Sequence, residues 1–205
     1  LAEIVEIKDR YDALLLLDEA HAVGVIGENG RGLADRRGLS DRVDIQMGTL
    51  SKALGVSGGY ICGRRVLIDL LINRARSLIY STAPPPAMAA AACAAVDFMM
   101  SQEGEERRQL LWTNLRQFFH SVPQTVSQQS RLQSAIVPII LGDENTALAA
   151  AQWLFERGFL VPAIRFPTVA KGSARLRVTI SASHTPEQIG ALCEALQKLP
   201  QVEVE

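Results

Sequence analysis

The chain has 205 residues, of which 48% are hydrophobic and 21% charged, a composition typical of a globular protein with a substantial core. Its formal net charge of −1 argues against the basic surface that nucleic-acid binding or membrane attachment requires. The cysteines Cys62, Cys93 and Cys193 are far apart and odd in number, so the sequence predicts neither a disulfide framework nor a metal site. No secretory signal opens the chain, and a reducing cytoplasm is the expected location.

The first part of the chain shows the alternation of strands and helices that is typical of an α/β fold. The run 13–18 contains four consecutive leucines and predicts a parallel strand buried on both faces. Four glycines within 24–32 predict a loop with positive φ or close backbone approach. The other predicted elements are the end of a helix in 1–12, a short helix or turn in 33–42, strands at 43–47, 60–62 and 78–80, a helix with a broad buried face at 64–76, and helices at 87–100 and 103–120.

The composition changes near residue 121, where the polar segment 121–133 predicts a linker or an exposed crossing. A smaller α/β unit is predicted to follow. Its strands are expected at 135–141, 159–163 and 175–181, and its helices at 145–158 and 186–199. The sequence therefore predicts two domains, 1–121 and 122–205.

A single lysine, Lys52, lies among small and hydroxylic residues just after the predicted strand 43–47. A lysine at such a strand end can be partly desolvated, which lowers its pKa and makes its amine a usable nucleophile. Thr49 and Ser51 add hydroxyls suited to phosphate oxygens. The pattern suggests an imine with the aldehyde of pyridoxal phosphate (PLP). The alternative is a turn lysine that faces water.

The strand 13–18 ends at Asp18, and His21 follows three residues later. In open α/β sheets, ligands bind outside the carboxyl ends of the strands, which is also where Lys52 is expected. A pyridine nitrogen needs a carboxylate to keep it protonated, and the phenolic oxygen needs a donor. Asp18 and His21 fit these two roles. The structural alternative is that Asp18 caps the following turn and His21 is a loop histidine with satisfied hydrogen bonds.

Two segments, Asp18 to Gly32 and Gly48 to Ala53, resemble the α-oxoamine synthases, and the resemblance extends over nearly the whole chain. These are fold-type I PLP-dependent enzymes. The resemblance implies that 1–121 is part of a large, mostly parallel-sheet domain and that 122–205 is a smaller α/β domain. It also implies decarboxylative condensation of an amino acid with an acyl-CoA or acyl-ACP thioester. The active enzyme would be a homodimer with its site shared across the subunit interface.

The resemblance assigns roles to the residues around the cofactor. Lys52 matches the lysine that forms the imine and transfers protons. Asp18 matches the carboxylate on the pyridine nitrogen, and His21 the donor to the phenolic oxygen. Thr49 matches the hydroxyl near the phosphate.

Further residues are implied at the subunit interface and around the substrate. Ser81 and Thr82 match a segment that reaches the cofactor phosphate of the neighbouring subunit. Arg177 matches the arginine proposed to hold the amino-acid carboxylate, and Arg165 and Thr168 are candidates for the same substrate site. Two positions depart from the family: Ala83 stands where serine is frequent, and Phe166 where proline is expected.

The family's chains are much longer than this one. The family's glycine-rich phosphate turn and the aromatic residue that stacks on the pyridine ring have no counterpart here. The chain is therefore expected to be the C-terminal half of such an enzyme and unable to work alone. Leucines 14 to 17 and the alanine face of 87–96 would then be exposed to water.

Segments 78–82 and 163–169 most resemble members that condense L-alanine with pimeloyl-CoA or pimeloyl-ACP in biotin synthesis. Glycine C-acetyltransferase and 5-aminolevulinate synthase are the alternatives within the family. The run Asp18-Glu19-Ala20-His21 also matches the Walker B box of DEAH-type ATPases, but no Walker A lysine occurs in the chain. A non-catalytic partner subunit is a third class, although such a subunit would be expected to lose Lys52.

Overall fold

The computed structural model describes residues 1–122 and 134–199, so most of the predicted linker at 121–133 lies outside the described residues. The chain divides into two compact units, Leu1–Arg108 and Gln109–Glu205. Helix α6 (Gln102–Ser121) contributes its first turns to one unit and the rest to the other. For this reason the unit boundary precedes the predicted domain boundary at 121/122, which stays a prediction.

The first unit is built on a three-stranded sheet in the order β1-β2-β3. Strand β1 (Leu16–Asp18) runs parallel to β2 (Ile45–Thr49), with Asp18 opposite Met47, and β2 runs antiparallel to β3 (Gly59–Gly63). The resemblance implies a large, mostly parallel sheet, and the sheet of this unit contains one parallel and one antiparallel pairing. Because β1 and β2 are parallel, their carboxyl ends lie at the same edge of the sheet.

The prediction of a strand over 13–18 buried on both faces is wrong for the chain as described. Strand β1 has three residues and one neighbouring strand. Leu14 and Leu16 are 78% and 55% exposed, because no second strand or covering helix lies against them in the described residues 1–122 and 134–199. This exposure agrees with the expectation that leucines 14 to 17 face water when the chain stands on its own.

The helices of the first unit are α1 (Ala2–Arg10), α2 (Leu33–Arg36), α3 (Arg65–Arg74), α4 (Arg76–Ile79), α5 (Pro86–Met100) and the start of α6, with 3-10 turns at Glu28–Gly30 and Ser40–Arg42. The predicted strand at 78–80 is wrong, since the amides of Leu78 and Ile79 both donate to the Ala75 carbonyl at 3.0 Å and form α4. The predicted buried face at 64–76 is also wrong: α3 and α5 contain no buried residue.

The second unit has an antiparallel sheet in the order β4-β6-β5. Its elements are β4 (Ile136–Gly142), α7 (Glu144–Phe155), β5 (Ala163–Ile164), β6 (Ala174–Thr179) and α8 (Pro186–Gln197). The predicted strand at 159–163 is largely a connection, and β5 begins only at Ala163. Gly158, with φ +84°, follows the end of α7 as predicted.

Buried apolar residues form the core of the second unit, where Leu115 and Phe118 of α6 and Leu176 of β6 are fully enclosed. The buried Asn114 side chain donates to the carbonyls of Ser181 (3.0 Å) and His184 (2.9 Å). Asp143 caps α7, and Thr185 with Gln188 forms a capping box on α8. No helix in 1–122 or 134–199 is long and apolar enough to cross a membrane; the cytoplasmic location stays a prediction.

Candidate active site

Asp18 and Thr49 are the last residues of the parallel strands β1 and β2. Pairing continues one residue past β1, where the Glu19 amide donates to the Met47 carbonyl at 2.7 Å. The Asp18 Oδ1 accepts a hydrogen bond from the Ala20 amide at 2.8 Å, so Asp18 caps this turn as the structural alternative expected. The turn leads to His21, and both Asp18 and His21 are exposed. The capping hydrogen bond uses Oδ1 of Asp18, and the same carboxylate can also bind a ligand at the sheet edge.

Lys52 lies in the loop that joins β2 to β3. Hydrogen bonds from the Leu50 amide to the Gly58 carbonyl (3.0 Å) and from the Val56 amide to the Leu50 carbonyl (2.8 Å) close this loop. The Gly55 amide donates to the carbonyl of Lys52 itself at 3.2 Å. Lys52 is exposed, as the alternative of a turn lysine that faces water expects, and its role as the imine lysine stays a prediction.

The hydroxyls of Thr49 and Ser51 lie side by side at the start of this loop. Their oxygen atoms are 2.8 Å apart, and Thr49 Oγ1 also accepts a hydrogen bond from the Ser51 amide at 3.2 Å. Thr49 Oγ1 donates to the Gly58 carbonyl at 3.1 Å. The two hydroxyls predicted to serve a phosphate are therefore held together at the sheet edge that also ends in Asp18.

The glycine-rich loop 24–32 confirms the predicted need for positive φ. All four glycines have it: Gly24 (79°), Gly27 (87°), Gly30 (74°) and Gly32 (111°). A Cβ atom on Gly24 would lie 2.5 Å from the Cβ of Ala53, closer than any real contact allows. The loop after His21 therefore packs against the residue that follows Lys52.

Glu19 is a residue whose position the sequence analysis did not single out. Its side chain is buried, with 4% exposure, and its two oxygens accept hydrogen bonds from the amides of Leu33 (2.7 Å) and Ala34 (2.8 Å). The sequence signal that could have pointed to this position of Glu19 is Gly32, a glycine directly before the short helix or turn predicted at 33–42. The same contacts argue against the DEAH-type ATPase alternative, in which this glutamate would have to act on water.

Gly48, the first residue of the segment Gly48 to Ala53 that contains Lys52, leaves room for Tyr60 of β3. The two residues pair across the strands, and a Cβ on Gly48 would lie 2.4 Å from the Tyr60 hydroxyl oxygen. Burial raises the pKa of the Tyr60 hydroxyl above its usual value. The glycine is thus explained by packing across the β2–β3 pair.

The arginines predicted to bind substrate belong to the second unit. Arg177 and its neighbour Arg175 point away from the core, since the intervening Leu176 is fully buried, and both arginines are half-buried. The Arg177 amide donates to the Pro162 carbonyl at 2.9 Å, and Arg175 Nε donates to the Ser173 carbonyl at 3.0 Å. The sheet thus presents two guanidinium groups on its outer face.

Arg165 and Thr168 share the turn that follows β5, where the Thr168 amide donates to the Arg165 carbonyl at 3.0 Å. Both residues are exposed. Arg165 Nη1 lies 3.9 Å from a carboxylate oxygen of Glu144. Because Ile164 pairs with Arg175, this turn leaves the sheet beside the strand that carries Arg177.

Ser81 and Thr82 follow α4 in an exposed segment of the first unit. The Ser81 hydroxyl donates to the Leu78 carbonyl at 2.8 Å and so ends the helix. Their exposure leaves both residues accessible to another molecule.

The model of one protein family, "Aminotransferase class I and II", matches residues 1–196. The chain belongs to this family. It is 42% identical, over 97% of its length, to 8-amino-7-oxononanoate synthase 1 of Bacillus subtilis (strain 168). It is 46% identical, over 99% of its length, to the 8-amino-7-oxononanoate synthase of Anaeromyxobacter sp. (strain K). These matches cover 50% and 52% of the two relatives, so the chain spans about half the length of the curated relatives it matches.

Solved structures of related enzymes have the same fold. A serine palmitoyltransferase from S. paucimobilis with a bound PLP–myriocin aldimine superposes with a TM-score of 0.89 and 30% identity, over 96% of this chain and 50% of that one. The 8-amino-7-oxononanoate synthase of Francisella tularensis gives 0.78 and 29%, over 95% and 57%. The chain therefore has the fold of a fold-type I PLP-dependent transferase, and the predicted family and fold class are confirmed.

Proposed function

We propose that this chain is the lysine-bearing part of a PLP-dependent α-oxoamine synthase, and that the complete enzyme is an 8-amino-7-oxononanoate synthase. Its reaction joins L-alanine to a pimeloyl thioester, pimeloyl-CoA or pimeloyl-ACP, with loss of CO₂, and serves biotin synthesis. The observation that carries the proposal is the placement of Asp18 and Thr49 at one edge of the sheet, on adjacent parallel strands. Relatives of that name at 42% and 46% identity support the choice of reaction.

The donor set at this edge fits PLP. The amine of Lys52 is suited to hold the cofactor's aldehyde carbon, the Asp18 carboxylate to hold the ring nitrogen protonated, and His21 to donate to the phenolic oxygen. The adjacent hydroxyls of Thr49 and Ser51 are suited to the phosphate. When bound, the cofactor supplies the electron sink for the reaction.

Lys52 is also the group proposed to remove and return the proton on the α-carbon of the amino acid. Its backbone is fixed by the hydrogen bonds that close the β2–β3 loop, while its side chain is exposed and able to move. A fixed backbone and a mobile side-chain amine suit a residue that acts in turn on the cofactor and on the substrate. Proton transfer by such a positioned group contributes about 10²–10⁴-fold in rate.

The amino-acid carboxylate is proposed to bind Arg177, with Arg165 and Thr168 at the same substrate site. A guanidinium group binds a carboxylate through two parallel hydrogen bonds. The outward, half-buried position of Arg177 on β6 suits this role, because the strand fixes the side chain and partial burial strengthens the contact.

The exposed Ser81 and Thr82 are proposed to reach the cofactor phosphate of the neighbouring subunit in a homodimer. Their hydroxyls are chemically suited to phosphate oxygens. The three prolines that follow, at 84 to 86, restrict the backbone of this segment and lower the entropy lost when it docks.

Glycine C-acetyltransferase and 5-aminolevulinate synthase remain alternative activities within the family. Serine palmitoyltransferase is a further candidate, because one such structure superposes with the higher TM-score, 0.89 against 0.78. The two curated 8-amino-7-oxononanoate synthases at 42% and 46% identity favour the first proposal over the palmitoyltransferase at 30%, although the synthase of Francisella tularensis has only 29%.

The test is to incubate the complete protein with alanine, glycine or serine and a panel of pimeloyl, acetyl, succinyl and palmitoyl thioesters, and to identify the product by mass spectrometry. Alanine with a pimeloyl thioester should give the highest kcat/KM. Borohydride reduction should attach the cofactor to the peptide that contains Lys52, and Lys52→Ala should abolish turnover while cofactor still binds. Full activity in Lys52→Ala would contradict the proposal.

A further inference from the structure

Glu19 lies between two proposed cofactor contacts, Asp18 and His21, yet the reaction outlined above gives it no role. In the described ranges 1–122 and 134–199, the buried polar or charged residues are Glu19, Arg108 and Asn114. Burying a carboxylate is costly unless hydrogen bonds compensate it. The position of Glu19 therefore needs an explanation in terms of what its carboxylate holds.

Hydrogen bonds fix Glu19 on three sides. Its amide donates to the Met47 carbonyl of β2 at 2.7 Å, and its carbonyl accepts from the amides of Ala22 (2.8 Å) and Val23 (3.0 Å). Its carboxylate reaches fourteen and fifteen residues along the chain, to the amides of Leu33 and Ala34 at the start of α2. Glu19 thus joins the end of the sheet, the turn that carries His21, and the segment that begins α2.

The chain provides a specific space for this carboxylate. A Cβ on Gly32 would lie 2.7 Å from Glu19 Oε2 and 2.9 Å from the carboxyl carbon, and Gly32 has φ +111°. Two amide donors to an ionised acceptor form charge-assisted hydrogen bonds, which are stronger than neutral ones. The carboxylate is therefore held rigidly, because it is bonded on one side and enclosed on the other.

We propose that Glu19 is a positioning residue of the cofactor site. By anchoring the turn 18–23 to β2 and to α2, it fixes the orientation of Asp18 and His21 toward the ligand. The same turn leads to Gly24, which packs against Ala53 beside Lys52, so a shift of the turn also disturbs the lysine loop. This inference rests on the proposed function, since it is that function which places PLP at this edge.

The test compares three variants of the complete protein. Glu19→Gln keeps the size of the side chain but removes its charge, and its NH₂ group cannot accept a hydrogen bond, so one amide of Leu33 or Ala34 loses its acceptor. Glu19→Asp keeps the charge on a shorter stem. Glu28→Gln makes the same chemical change at an exposed position of the glycine-rich loop and serves as the matched control.

We expect Glu19→Gln to weaken PLP binding and to lower kcat, each by about 10- to 100-fold, as small displacements of catalytic groups do. The KM for the acyl thioester should change by no more than about twofold, because the proposal gives the turn a role toward the cofactor and none in thioester binding. The pH midpoint of the visible absorption of bound PLP should also shift, since Asp18 and His21 control its protonation. Glu19→Asp should recover part of each loss, and Glu28→Gln should match the wild type.

A purely structural role would lower the melting temperature of Glu19→Gln but leave PLP affinity, the pH midpoint and kcat of the folded protein unchanged. That result would overturn the proposal. If Glu19→Gln does not fold, the same measurements on Glu19→Asp decide, and wild-type values there would overturn it equally. Borohydride labelling of Lys52 in the wild type separates the two hypotheses: absence of labelling refutes the proposed function, whereas labelling with unchanged Glu19 variants refutes only the role of Glu19.

Discussion

Arg177 and Arg175 offer a matched pair for the question of which residue holds the substrate carboxylate. They lie two residues apart on β6, on the same outer face, and both are half-buried. Arg175 differs in that its Nε donates to the Ser173 carbonyl at 3.0 Å, which commits part of its guanidinium to the backbone. This difference favours Arg177 as the substrate contact.

We therefore expect Arg177→Lys to raise the KM for the amino acid by about tenfold or more, since a hydrogen bond to a charged group is worth about 1.5–3 kcal/mol and lysine cannot reproduce the two-pronged contact. The KM for the acyl thioester should stay nearly constant. Arg175→Lys is the control and should leave both values close to those of the wild type. Steady-state kinetics with each substrate varied in turn gives the answer, and an equal rise in both KM values for Arg177→Lys would remove Arg177 from the site.

The sequence was sufficient to predict which residues lie at the shared edge of β1 and β2, and insufficient to predict the contacts of Glu19; the cofactor roles of the edge residues stay proposals. Asp18 ends the predicted strand 13–18 and Thr49 follows the predicted strand 43–47 by two residues, and parallel strands place such residues at one edge. Glu19 was not found, because its partner amides lie fourteen and fifteen residues away and no periodic pattern reports such a contact. Lys52 lies just after β2, as the sequence predicts, whereas its exposure depends on what covers the sheet edge, which local sequence does not specify.

At the scale of elements, short apolar runs were the main source of error. The run 78–80 was predicted as a strand, yet it forms the end of α4, because three apolar residues fit either period. The Arg76 guanidinium, 5.5 Å from the Tyr80 ring centre, adds a contact between residues four apart that favours the helix. The leucine run 13–18 does form a strand, but only its last three residues pair with a neighbour.

Asp44 connects three elements of the first unit. Its Oδ2 accepts a hydrogen bond from the Leu15 amide at 2.9 Å, just before β1, and lies 3.4 Å from Lys8 Nζ of α1. The Leu15 hydrogen bond, followed by Lys8, lowers the pKa of the Asp44 carboxyl. A carboxyl with a lowered pKa in the folded state contributes stability above its unfolded pKa, and this contribution is lost as pH falls through its folded pKa.

We expect Asp44→Asn to lower the melting temperature of the complete protein at pH 7 and to make it less sensitive to acid, because the variant has no carboxyl to protonate. The melting temperature should be measured between about pH 3 and pH 7, the range in which carboxyl groups titrate. Asp41→Asn, at an exposed position of the Ser40–Arg42 turn, is the matched control and should follow the wild type. Parallel profiles for Asp44→Asn and the wild type would show that Asp44 does not connect these elements energetically.

At the scale of the whole molecule, the two units differ in how completely they bury their apolar side chains. The second unit encloses Leu115, Phe118 and Leu154 completely. The first unit leaves α3 and α5 without a buried residue and exposes large apolar side chains, among them Leu14, Leu16, Val66, Leu70, Ile72, Leu78 and Tyr80. Exposed apolar side chains in such number are typical of a region that binds another part of a protein or aggregates.

We propose that further sheet and helices of a longer chain cover this surface, in keeping with relatives about twice as long as the chain. Covering apolar surface contributes about 25 cal/mol per Å², so its exposure costs an amount comparable with the whole stability of a domain. We therefore expect residues 1–205 alone to self-associate and to bind PLP weakly. Light scattering after size-exclusion chromatography and the fluorescence of the hydrophobic dye ANS would measure this.

Leu16→Lys distinguishes an apolar surface that is buried in the complete enzyme from one that stays exposed and associates nonspecifically. In residues 1–205 alone, a charge at this exposed position of β1 should reduce self-association, because it interrupts the apolar surface. In the complete protein the same change should lower stability by several kcal/mol, since it would bury an unpaired charge between strands. The opposite pattern, an insoluble short variant together with a fully stable long one, would mean that β1 remains exposed in the complete enzyme and that the apolar surface has another partner.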